Sequence, residues 1–180
     1  FPSLSQRWAF KSLLWQGVPQ VVVGILKAMY DAVFAAFVSE SGNEQWLCIA
    51  SGVLQGCPCS GFIFNLATGP LLTAISDAAN EGGQAVVKAC ADDVGIAIQR
   101  LDMLPRVREV FVTIERVAHL CLNPHKCVAI VLPLLDGVPD WWAKNLSRWN
   151  RFRIEREGKF LGFMVGPAAS LCQWLGPLQK

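Results

Sequence analysis

Asp92 and Asp93 stand side by side between two short apolar runs, Ala85 to Cys90 and Val94 to Ile98. This pattern predicts a hairpin with acids at its tip, where both carboxylates approach one site although neighbouring strand residues face opposite ways. Two carboxylates about 4 Å apart repel by roughly 4 kcal/mol at an effective dielectric of about 20. The nearest basic residues along the chain are Lys88 and Arg100, and neither has to reach the tip. A divalent cation with oxygen ligands relieves the repulsion, and Mg2+ characteristically takes one or two carboxylates together with substrate phosphates. The competing reading is a solvated turn, because Asp is common in turns.

Other residues offer chemistry of different kinds. His119, Cys121, His125 and Cys127 are zinc-ligand types, in a spacing unlike the usual finger patterns; the competing reading buries Cys121 on an apolar helix face. Cys57 and Cys59 read as packing rather than as redox or metal residues. Trp141, Trp142, Trp149 and Phe152 interleave with Lys144, Arg148, Arg151, Arg153 and Arg156. That composition suits backbone phosphates and stacked bases, and it equally suits a core of rings covered by arginine stems. Residues 1 to 100 carry five basic and seven acidic groups, whereas residues 101 to 180 carry eleven and seven, so the second part is the one suited to face an anion.

The elements that must position these residues follow from periodicity. Ser5 caps a helix through Gln16 with apolar Trp8, Phe10, Leu13 and Leu14, and a second helix runs from Pro19 past Met29. Val33 to Ser39 and Gln45 to Ala50 form a hairpin across Glu40 to Asn43, and a small-residue loop, Ser51 to Ser60, leads into a third helix containing Pro70. Leu104 to Cys121 is the most strongly amphipathic stretch. Lys126 to Leu132 reads as a strand, Trp141 to Trp149 as a helix, and Phe152 to Ile154 with Lys159 to Val165 as a last hairpin across Glu157-Gly158. The expectation is α+β, an antiparallel sheet covered on one side by helices.

With 180 residues, 53% of them apolar, and a mean hydropathy of +0.37, the chain can bury a substantial core, which excludes a disordered segment. No repeat recurs at a fixed period, and the uncharged stretch from Gln45 to Ser76 is broken by small and polar residues, so no membrane span is expected. Seven cysteines in apolar surroundings predict buried thiols in a reducing compartment.

Gly52-Val53-Leu54-Gln55-Gly56-Cys57-Pro58-Cys59-Ser60, followed by Phe64-Asn65 and Pro70-Leu71-Leu72, resembles the second conserved palm segment of reverse transcriptases, especially those of non-LTR retrotransposons and group II introns. Cys90-Ala91-Asp92-Asp93 resembles their acidic hairpin, Leu122 to Cys127 their next segment, and Lys159-Phe160-Leu161-Gly162 their later lysine-aromatic-leucine-glycine segment. Phe1-Pro2-Ser3-Leu4 is similar to the tail of their first palm segment. The resemblance implies a polymerase palm with part of the fingers over residues 1–135, and a palm end with a primer-grip-like hairpin and the approach to a thumb over residues 136–180.

It further implies RNA-directed DNA synthesis by two-metal catalysis with Mg2+, or Mn2+, as cofactor, and an RNA template, a DNA primer and deoxynucleoside triphosphates as partners. By position, Asp92 is implied as a metal ligand with Asp93 as its acidic neighbour. Gln55 and Gly56 would line the nucleotide and template path, Phe1 the sugar, Lys126 the phosphates, and Lys159, Phe160, Leu161 and Gly162 the primer end. The family's other catalytic Asp falls upstream of the position of Phe1, so the expectation is an N-terminally truncated piece, inactive alone, whose missing upstream and downstream parts are its partners. Cys90, Leu54 and Cys59 stand where the family has an aromatic, a frequent Arg and a frequent Leu. Two other readings are a noncatalytic nucleic-acid-binding or structural remnant of a reverse transcriptase, and a small metalloprotein that carries Asp-Asp by chance. The expected setting is the nucleus or cytoplasm.

Overall fold

The computed structural model describes residues 3–81, 83–132, 137–167 and 169; Phe1 and Cys172 lie outside them. Helices and strands mix in an α+β chain, as the sequence predicts, but among the described residues the strands pair two by two in four separate sheets, one of them parallel, rather than in one antiparallel sheet. The chain forms two compact units, Phe1–Ala74 with Val112–Leu120, and Ile75–Phe111 with Cys121–Lys180.

In the first unit, α1 (Gln6–Trp15) starts at Ser5, whose hydroxyl accepts from the Trp8 N–H, and α2 (Gln20–Tyr30) starts after Pro19. Ala9, Phe10 and Leu13 of α1 and Val23, Leu26 and Tyr30 of α2 recur every three or four residues and are buried. The Phe10 and Tyr30 rings meet edge to face, 5.8 Å between centroids. β1 (Phe34–Val38) and β2 (Glu44–Cys48) form the expected hairpin, almost wholly exposed.

α3 (Ser60–Asn80) runs through Pro70, which has no N–H to give to the carbonyl of Leu66. That carbonyl instead accepts from the Ser12 hydroxyl at 2.9 Å and from the Gln16 side-chain amide, and the neighbouring Ala67 carbonyl accepts from Trp8 Nε1 at 2.8 Å. Ser12 is buried to do this. By length and composition alone α3 qualifies to cross a membrane, with a mean hydropathy of 1.2, contrary to the sequence expectation. Its face of Ile63, Phe64, Ala67, Leu71, Ile75 and Ala79 is nevertheless buried within the protein, so packing accounts for much of that apolarity. α4 (Leu104–Ala118) buries Val107, Ile114 and Ala118 and exposes Arg106, Glu109, Glu115 and Arg116, as its periodicity predicts.

In the second unit, β3 (Ala85–Cys90) pairs antiparallel with β4 (Asp93–Ile98). The last hairpin differs from expectation. β6 (Arg153–Glu155) pairs parallel with β5 (Val128–Ile130), while β7 (Gly158–Phe160) pairs antiparallel with β8 (Phe163–Val165). The turn falls at Leu161-Gly162 because both residues are left-handed, φ 50° and 91°, as a tight two-residue hairpin turn demands. Gly158 is not a turn residue: it is buried with Val128 and Ile130 side chains 3.1 and 3.3 Å from where a Cβ would sit. β5 is shorter than expected, since Pro124–Lys126 coils into a 3-10 turn capped by the Asn123 side chain.

α5 (Val138–Asn145) also stops early, where Leu146 leaves helical geometry at φ −128° and ψ 49°, and Ser147–Trp149 forms a separate 3-10 turn. Trp142 and Trp149 are buried, Trp149 stacks on Phe152 at 4.9 Å, and Phe111 meets Trp149 edge to face at 5.7 Å. Trp142 and Trp149 therefore belong to a core, while Trp141 and Phe152 are half-buried.

Candidate active site

Cys90 pairs with Asp93 across the acidic hairpin, so the turn consists of Ala91 and Asp92 alone. Asp93 is therefore the first residue of β4 rather than part of the turn, a one-residue correction to the expected tip. Ala91 has a φ of 52°, the left-handed first position that a two-residue hairpin turn requires. Both carboxylates are exposed, and among the described residues none donates a hydrogen bond to either. Arg100, one of the two nearby cations, is engaged by Asp102, whose carboxyl its hydrogen bond and charge hold below the usual range.

The β7–β8 hairpin reaches the same hairpin. The Phe160 ring covers Gly95 of β4, its Cζ 3.0 Å from the place a Cβ would occupy. Lys159, Phe160, Leu161 and Gly162 thus share a unit with Asp92 and Asp93, with Phe160 in direct contact with the strand that begins at Asp93. Lys159 is exposed opposite Met164, and Lys126 is exposed at the end of its 3-10 turn in the same unit.

Gln55 and Gly56 belong to the first unit, both exposed, on a loop that Gly52 and Gly56 turn with φ of 79° and 85°. Among the described residues no side chain crowds Gly56. The loop is anchored by residues the sequence reading passed over. The Leu54 N–H donates to the Tyr30 hydroxyl at 3.3 Å, and the Ser60 hydroxyl donates to the Leu54 carbonyl. Since the Ser60 hydrogen is committed there, the Tyr30 hydroxyl donates to Ser60 Oγ across 3.2 Å, which closes the ring of bonds. A tyrosine that is the sole one in the chain was the available signal.

A shallow concavity on α1 and α2, lined by Gln6, Arg7, Phe10, Lys27, Tyr30 and Asp31, contains none of the singled-out residues. The zinc reading fails: among the described residues no three His, Cys, Asp or Glu side chains converge as metal ligands. His125 lies instead against Arg151, and the Cys127 thiol donates to the Asn123 carbonyl. The thiols are not the buried set expected either. Cys48, Cys90 and Cys121 are exposed and Cys57, Cys59 and Cys127 half-buried, because the strand that carries Cys48 is solvated on both faces and Cys90 stands at the open end of β3.

The same test bears on Mg2+. Two adjacent hard oxygen donors fit an ion that fills its remaining positions with water and substrate phosphates, but they do not make a closed protein cage.

The family model for reverse transcriptase (RNA-dependent DNA polymerase) matches residues 1–165. The chain belongs to the reverse transcriptase family. The match spans both units of this reverse transcriptase domain and includes every singled-out residue. No curated protein matches the chain.

Proposed function

We propose that this chain is the palm, with part of the fingers, of an RNA-directed DNA polymerase of the non-LTR retrotransposon or group II intron type, working in the nucleus or cytoplasm. The observation that carries the proposal is the exposed Asp92-Asp93 pair on a tight antiparallel hairpin, inside a family match over residues 1–165. In this reading residues 1–135 form the palm and partial fingers, and residues 136–180 the palm end and the approach to a thumb.

Asp92 and Asp93 would hold Mg2+ or Mn2+. Such a cation, when bound, stabilises the entering and leaving oxygens of nucleotidyl transfer. Lys126 would orient the phosphates of the incoming deoxynucleotide, and Lys159 to Gly162 would hold the DNA primer end. The exposed loop at Gln55 and Gly56 would lie along the RNA template and nucleotide, where a residue without a side chain permits close backbone approach. Phe1, outside the described residues, would press on the sugar.

A second reading, a noncatalytic remnant that still binds nucleic acid, draws on the exposed Arg148, Arg151, Arg153 and Arg156. With two carboxylates and no third donor converging among the described residues, the 180-residue chain by itself should not extend a primer. Phosphoryl transfer depends on positioning and charge stabilisation, and such a site is short of both. The test is primer extension on an RNA template by the chain alone and by a chimera that grafts residues 1–165 into the remaining parts of an active family member. Extension by the chimera, abolished by Asp92→Asn, supports the polymerase reading. An inactive but folded chimera supports the remnant, and extension by the chain alone refutes its proposed inactivity.

A further inference from the structure

We propose that Arg151 and His125 form a clamp for a nucleic-acid phosphodiester beside the start of the β5–β6 pair. The proposal rests on the nucleic-acid-binding reading above and names side chains that would hold the strand.

Parallel pairing of Val128 with Arg153 carries the segments just before the two strands alongside each other, and the Arg153 N–H donates to the Cys127 carbonyl at 3.1 Å. The 3-10 turn Pro124–Lys126 is thereby set against Arg151, whose Nη1 lies 3.3 Å from His125 Nε2. A guanidinium stays protonated, so Arg151 donates, Nε2 accepts, and the imidazole hydrogen is on Nδ1.

Among the described residues Arg148, Arg151 and Arg156 of this unit make no ion pair, and of these three Arg151 is the one held against another side chain. Arg100, Arg106, Arg108 and Arg153 of the same unit each meet a carboxylate, of Asp102, Glu81, Glu109 and Glu155. Arg151 meets an imidazole instead of a carboxylate, which orients the guanidinium and leaves it without an ion-pair partner among the described residues. The His125 and Arg151 side chains are both open to solvent. An anion with two acceptor oxygens relieves this arrangement and matches the planar fork of the remaining N–H groups, which describes a phosphodiester.

The experiment measures binding of the 180-residue chain to a short labelled RNA–DNA hybrid, and to the single RNA and DNA strands, by fluorescence anisotropy over a range of salt. Arg151→Gln should weaken hybrid binding about tenfold and lower the salt slope by about one. His125→Ala should weaken it a few-fold, and Arg151→Lys should keep the slope but lose affinity. Arg106→Gln, whose arginine is paired with Glu81, should match wild type, and circular dichroism melting checks that each variant is folded. Comparison of the two single strands tells whether RNA or DNA supplies the phosphodiester. Wild-type affinity and slope in a folded Arg151→Gln overturn the clamp while leaving the nucleic-acid reading intact. No binding of any strand by wild type overturns both. If inorganic tripolyphosphate binds as tightly as the hybrid and depends on Arg151 alike, the site takes free phosphate and the clamp is overturned.

Discussion

Ala91 holds the acidic turn with φ at 52°, a conformation that costs an L-residue about 1–2 kcal/mol. Ala91→Gly removes that strain at the price of a freer unfolded chain. The expected result is a net gain of about 0.5 kcal/mol, read as a higher urea midpoint with an unchanged slope. The cysteines give a second check at this scale. Burial pushes the Cys127 thiol above its ordinary value, so at a given pH less of it is thiolate. Iodoacetamide at mildly alkaline pH should therefore modify exposed Cys90 and Cys48 before Cys127, as followed by peptide mass mapping; equal rates would contradict the burial. The hairpin that carries the paired acids is legible in the sequence because two short apolar runs bracket them, although a solvated turn is written with the same residues. The exposure of Cys48 and Cys90 is not, because an apolar run does not reveal whether its hairpin is covered.

At the scale of elements, Pro70 and Ser12 behave as one device. Ser12→Ala removes a donor from the Leu66 carbonyl and should cost about 1 kcal/mol, less than a full orphaning because Gln16 also donates there. In a Pro70→Ala background, where residue 70 regains an N–H for Leu66, the same substitution should cost measurably less. Additive effects in that double-mutant cycle would show that the two are unconnected. Tyr30→Phe leaves the Leu54 N–H without its acceptor and Ser60 without its donor, with an expected loss of about 1–3 kcal/mol in chemical denaturation. Fluorinated reporters on Gln55 would then show a more mobile loop. Helices α1, α2 and α4 are legible from their apolar spacing, although α2 buries Val23, Leu26 and Tyr30 and exposes Val22, Ile25 and Met29, because an almost wholly apolar helix does not show which side is covered. The final hairpin is misread because Glu157-Gly158 looks like a turn, while the buried seat of Gly158 against Val128 and Ile130 depends on a parallel pairing with no local signature.

For the whole molecule, cation binding is a matter of linkage. A ligand that binds only the folded chain stabilises it by about 1.4 kcal/mol at ten times its dissociation constant. Mn2+ should therefore raise the melting midpoint of the chain only at high concentration, as an open two-carboxylate site implies, and Asp92→Asn should remove the shift. An unchanged shift in the variant would place the ion elsewhere. The contact of Phe160 with Gly95 bears on the history of this sequence as well as on its stability. A methyl group at position 95 would stand 3.0 Å from the ring, so the ring must move to admit it. Two positions far apart in the chain therefore constrain each other's order of change. A lineage that first shrinks the side chain at 160 opens position 95 to drift, whereas one that first fills 95 passes through a strained intermediate. Among sequences descended from a common parent, larger residues at 95 should be found with smaller ones at 160.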